Sequence, residues 1–184
     1  MGYGLHVGWA IEGAIGSRYK IDASYLSPHV NMSSRLEAAT KQYGVPLLMS
    51  ADFHSLLSAG AQRLCRRVDK VTVKGSNQPM DLYTFDVSHF PDEFAEPPMR
   101  HVIFALDPAV AQLRQDIPSE FFEVFRDGVD AYLEGSWPVA RKRVKEALVL
   151  KPGDGPCYTL LRVMGKHDFK APEKWPGYRE LTEK

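Results

Sequence analysis

Cysteine is scarce: Cys65 and Cys157 are the only two, in unlike surroundings and without metal-ligand spacing. That excludes a disulfide scaffold and a cysteine-built metal centre, and it fits a reducing compartment. The histidines His6, His29, His54, His89, His101 and His167 are scattered, again without metal spacing. No apolar run approaches the roughly 20 residues that a membrane helix needs. Residues 1–16 have neither a basic leader nor a cleavage-like end. Charge of one sign is missing too, since Lys plus Arg and Asp plus Glu both number 23. No overall field draws the chain to nucleic acid or to an anionic membrane, so a charged ligand has to be captured locally.

What is present is a folding chain. Hydrophobic residues make up 44% of 184 positions, enough for one compact domain or a small domain with an appendage. Leu5, Val7 and Trp9 alternate from the outset with no cap or tail before them, so the chain is expected to be part of something longer. Composition divides it into a β-rich, glycine-punctuated stretch over 1–88, a proline-rich connector over 89–119 and a helical tail over 120–184.

In the first stretch the pattern predicts strands over 4–10, 21–26, 46–50, 70–74 and 81–87, a helix over 28–43 and a short helix near 52–59. Ser27 can cap the long helix, Pro28 suits its first position and Gly44 ends it. Two stripes, Val30-Ser34-Ala38-Gln42 and Met32-Leu36-Ala39-Tyr43, predict a wide buried face of small residues. Arg63, Arg66, Arg67 and Lys70 form a basic cluster, expected to be a solvated strand edge that resists edge pairing. In the connector, residues 102–106 can add a strand or pack as a loop.

The tail predicts two antiparallel helices. Phe121, Phe125, Val129 and Tyr132 share one face, Gly135 breaks the chain, and Ala140, Val144, Ala147 and Leu148 line the second. The spacing of Tyr132, Gly135, Trp137, Ala140, Ala147, Leu148 and Pro152 resembles one tetratricopeptide repeat, which cannot bury its apolar face alone. It should cap the first region or dock on a partner.

The chemistry-bearing motifs are Gly4-Leu5-His6-Val7-Gly8, Gly13-Ala14-Ile15-Gly16-Ser17, Val30-Asn31-Met32-Ser33-Ser34-Arg35-Leu36-Glu37 and Lys41-Gln42-Tyr43-Gly44-Val45-Pro46. Behind them come Val71-Thr72-Val73-Lys74-Gly75, Pro79 and Leu82-Tyr83. Together they resemble the C-terminal half of a class III adenylate or guanylate cyclase catalytic domain. The implied fold is α+β, a ferredoxin-like half-domain with a mixed or antiparallel sheet and packed helices, followed by the α-hairpin.

The resemblance implies attack of a ribose 3′-oxygen on the α-phosphate of ATP or GTP with loss of pyrophosphate, which calls for donors on the phosphate oxygens. Asn31 and Arg35, four apart on one helical face, take the family's roles of orienting the ribose and stabilising the α-phosphate. Lys74 matches the lysine that contacts the outer phosphates. Ser24, seven residues before Asn31, falls where the purine edge is read, and its hydroxyl does not choose between the bases. Ser27-Pro28-His29 replaces the usual Gly-Asp-Thr, which stiffens the approach to the helix.

The family's two metal-binding aspartates lie upstream of the matched motifs, so Mg²⁺ or Mn²⁺ is expected only with that missing half, and none bound by this chain alone. The expected partners are a second cyclase domain or the upstream half, and a purine nucleoside triphosphate; no nucleic acid and no membrane segment are expected. Two readings stay open. In one, the chain completes a dimeric cyclase site and is inactive alone. In the other, it is a catalytically degenerate scaffold or regulatory module. The expected location is cytoplasmic, with a ciliary assembly suggested by a likeness to large protist cyclase-plus-repeat proteins. His6 is expected to be a packed, hydrogen-bonded histidine.

Overall fold

The computed structural model describes residues 1–17, 19–73, 78–88 and 108–181. The elements run β1 (Tyr3–Leu5), β2 (Ile11–Gly16), β3 (Ile21–Leu26), α1 (Pro28–Tyr43), β4 (Leu47–Ser50), α2 (Ala51–Ser55), α3 (Ala59–Leu64), β5 (Cys65–Val73) and β6 (Met80–Phe85). After them come α4 (Pro108–Gln112), α5 (Ser119–Leu133), α6 (Trp137–Leu150), α7 (Gly155–Gly165) and β7 (Arg179–Leu181). Five strands form one mixed sheet in the order β1-β4-β6-β5-β7, with parallel pairs at both edges and antiparallel pairs between, while β2 and β3 form a separate antiparallel arm. The architecture is α+β.

Helix α1 starts and stops where its local signals place it. The Ser27 hydroxyl accepts the His29 N–H at 3.0 Å, and Gly44 closes the helix at φ 63 with its N–H on the Thr40 carbonyl. Only one of the two expected stripes is buried. Leu36, Ala39 and Tyr43 face the sheet with Thr40, while Val30, Ser34 and Ala38 face outward. Leu36, Tyr43, Leu48, Val68, Val71 and Leu82 form the core between α1 and the sheet, and Leu181 of β7 joins it.

Several expectations change. The first strand is shorter than 4–10, because the chain leaves the sheet after Leu5 to reach the β2–β3 arm. The strand expected over 70–74 begins at Cys65 and takes a bulge between Arg67 and Asp69. One short helix becomes two, α2 and α3. Residues 102–106 lie outside the described residues.

The tail carries three helices rather than two, since α7 packs on both α6 and α1. Phe121, Phe125, Tyr132, Trp137, Val144 and Leu160 make a second core at 0–1% exposure, each apolar side chain worth about 1.5–3 kcal/mol of burial. This core adjoins the first, because α5 packs on β5 and β7 returns to β5. No helix among the described residues is long and apolar enough to cross a membrane.

Arg66 and Arg67 depart from the expected solvated edge, while Arg63 is exposed. Arg66 is 5% exposed and grips two carboxylates: Nε and Nη2 reach Asp86 at 2.7 and 2.6 Å, and Nη1 and Nη2 reach Asp154 at 3.1 and 2.9 Å. The Lys151 ammonium completes the group at 2.7 Å from Asp86 and 3.1 Å from Asp154. The guanidinium lies over the Phe125 and Phe121 rings, with centroids at 4.3 and 4.9 Å. Arg67 pairs with Asp130 of α5, so the cluster binds the sheet to the tail.

Candidate functional site

The exposed side of α1 forms one wall of a cavity of about 880 Å³. Asn31 and Arg35 both line it, as one turn of separation on a helix requires. Asp52 of α2, Lys70 of β5 and Asp81 of β6 line it too. Trp9, Ile11 and Leu26, from the base of the β2–β3 arm, add an apolar rim.

Ser24 sits half-buried in mid β3 opposite Gly13 and is not among the cavity-lining residues. Its register places it on the same face of the arm as Ile11 and Leu26, which do line the cavity. Lys74 lies outside the described residues.

Two histidines close one side. His6 Nδ1 is 2.7 Å from the Ser50 hydroxyl, and His6 Nε2 is 2.8 Å from His29 Nδ1. The rings stack with centroids 5.1 Å apart, and Trp9 meets His29 edge-on at 5.9 Å. The motif glycines explain this close fit. A Cβ on Gly4 would overlap the α1 backbone at Ser33 and Glu37, and one on Gly8 would overlap the His29 ring. Burial first, and then the His29 imidazole, hold His6 below the usual histidine range, while Asp52 pulls the other way. Ser27, which caps α1, also donates to the Trp9 carbonyl and so fixes the chain just before the arm.

No protein-family model matches the chain. It is 34% identical over 84 residues to an adenylate cyclase of Anabaena cylindrica and 35% identical over 81 residues to adenylate cyclase 1 of Rhizobium meliloti strain 1021. It is 29% identical over 83 residues to the terminal-differentiation-specific adenylate cyclase of Dictyostelium discoideum. Over that stretch the chain is related to adenylate cyclases. The matches take in 44–45% of this chain but only 17%, 12% and 4% of those three relatives, in the order given. The relationship therefore concerns a segment of much longer proteins.

The histidine contact was missed from sequence because His6 and His29 are 23 positions apart and only the meeting of β1 with α1 joins them. The signal that could have found it is the pair of departures at 28 and 29 set beside the small residue at Gly8. Lys70, Asp52 and Asp81 were also missed as cavity residues, since nothing local distinguishes them from solvated charges.

Proposed function

We propose that the chain supplies the transition-state side of a class III purine nucleotide cyclase site completed by a second cyclase domain or upstream half. The observation that carries this reading is that Asn31 and Arg35 line one cavity from the helix that bears the family-like motif, in a chain related to adenylate cyclases. In this reading Asn31 orients the ribose and Arg35 donates to the α-phosphate as charge builds on its oxygens. Lys74 contacts the outer phosphates and Ser24 reads the purine edge of ATP or GTP. Among the described residues no group of three or more His, Cys, Asp or Glu side chains is arranged to hold a metal ion. In this reading Mg²⁺ or Mn²⁺ belongs with the partner's carboxylates and would neutralise phosphate charge there.

The β2–β3 arm supports a shared site. Ile11, Ile15 and Leu26 share one face of the arm and are 60–69% exposed, an apolar surface that a partner domain would cover. The test is reconstitution. The chain alone should form no cAMP or cGMP at any Mg²⁺ or Mn²⁺ concentration, and adding a metal-bearing cyclase half should give product. Arg35→Ala should then lower kcat about 10²-fold with substrate affinity less changed. Product from the chain alone, or a loss confined to KM, overturns the assignment.

The second reading, a degenerate scaffold or regulatory module in a larger assembly, is favoured by one feature. Ser27, Pro28 and the His6–His29 pair lock the approach to α1, where the family has a flexible glycine. Failure of both ATP and GTP to bind, in calorimetry of the chain reconstituted with a metal-bearing cyclase half, would select it.

A further inference from the structure

The hydrogen-bonded row Ser50–His6–His29 ends at the cavity, and its proton inventory is unusual. In one neutral arrangement Ser50 donates to His6 Nδ1, His6 Nε2–H donates to His29 Nδ1, and His29 Nε2 carries a hydrogen. In the other neutral arrangement both bonds run the opposite way and His29 Nε2 is a bare lone pair. One added proton is accommodated with both bonds intact, and Nε2–H is then always present. A second added proton would set two N–H groups against each other across the 2.8 Å contact. The pair therefore takes up one proton and not two, and in either placement of the bridging hydrogen the charged pair keeps His29 Nε2–H.

His29 is also held in place. Its Nδ1 is occupied by His6, Gly8 packs on the Nδ1 side of the ring, and Trp9 and His6 confine the ring itself. Nε2 has no hydrogen-bond partner among the described residues, and the ring lines the cavity. Among the described residues, the charged groups that line the cavity are Arg35 from α1, Lys70 from β5, Asp52 from α2 and Asp81 from β6, and Asp81 lies 3.7 Å from Arg67.

We propose that His29 is an anion-contacting residue of this cavity: its Nε2–H donates to a phosphate oxygen of the ligand, and the His6–His29 pair takes up one proton as the anion binds. The inference rests on the cyclase reading only for the source of the phosphate, a nucleoside triphosphate. The sign follows from linkage. The bound anion favours the protonated pair and raises its pKa, so the gain in affinity appears as pH falls through the bound-state value and levels off below the free-state value. His6 remains the positioning residue, since it acts through His29.

The experiment is an NMR titration of the His29 ring between pH 8 and 5 in the 184-residue chain, free and with excess ATP or inorganic pyrophosphate. With either ligand the midpoint of the histidine pair, followed on the His29 ring, should move up. His29→Gln, which keeps a donor but cannot titrate, should lose the difference in proton uptake seen by calorimetry in buffers of different ionisation enthalpy. His29→Phe, which has no donor, should weaken ATP about tenfold. If ATP binds in an Arg35-dependent way while the His29 midpoint stays put, the inference falls and the cyclase reading stands. If pyrophosphate moves the midpoint and ATP binds neither this chain nor its complex with a metal-bearing cyclase half, the cyclase reading falls and the anion contact stands. If neither ligand moves it, His29 is a packing residue.

Discussion

Taking away the Arg66 guanidinium would strand Asp86 and Asp154, at 4% exposure each, with only the Lys151 ammonium between them. An uncompensated buried charge is far costlier than the ion pair is worth, so Arg66→Met should destabilise the chain by about 3–5 kcal/mol. A shift in the urea midpoint at unchanged slope measures this, and a loss under about 1 kcal/mol would mean the group is solvated. The same carboxylates set an acid limit. Burial works to raise both, and the Arg66 and Lys151 cations outweigh it, holding each below the usual carboxylate range. A depressed carboxylate contributes stability that is present above its unfolded pKa and is lost as pH falls through its folded one. The melting temperature should therefore fall as pH drops below about 4. Arg66→Met should flatten that acid limb, because the carboxylates then lose the cation that depressed them.

Elements differ in how plainly the sequence announces them, and the difference is one of range. Helix α1 was legible to the residue, because Ser27, Pro28 and Gly44 act within a turn of its ends. Ser27→Ala should cost about 1 kcal/mol for the lost cap, with more if the Trp9 carbonyl finds no other donor; a thermal melt reads the sum. Strand β3 was expected over its observed range, but no strand was expected over β2, whose Gly13 and Gly16 weaken the strand pattern that pairing with β3 enforces. Arg66 was misread because its partners lie 20 and 88 positions away, and no local pattern marks a buried arginine. Asn31 and Arg35 could be named from their motif, whereas the cavity they line depends on β5, β6 and the arm. The tail's third helix, α7, matters to α1 as well. Thr159 donates to the Gln42 carbonyl at 2.8 Å, and Gly155 lies so close to the Tyr43 carbonyl that any Cβ would overlap it. Gly155→Val should destabilise by about 1–3 kcal/mol, seen as a lower urea midpoint.

At the scale of the whole molecule the exposed arm and the integrated tail have opposite fates. Ile11→Asp with Ile15→Asp alters surface positions and should change the stability of the single chain by less than about 0.5 kcal/mol, while abolishing association with a cyclase partner. Sedimentation alone and with that partner separates the two effects. The tail, by contrast, is woven into the sheet. Arg179 holds Asp69 at 2.8 Å and donates to the Tyr43 hydroxyl at 2.8 Å, and β7 pairs in parallel with β5. Arg179 and Asp69 are 110 positions apart. Closing so long a loop costs entropy before the strand pairing can repay it, and parallel pairing of distant segments is intrinsically slow. During synthesis β5 leaves the ribosome long before the strand that will flank it. At about 5–20 residues per second, its outer edge waits several seconds, unpaired, for residues 179–181 to arrive. The vulnerable moment for this protein is therefore its birth, when a nascent chain with a finished α1 still offers an open strand to its neighbours.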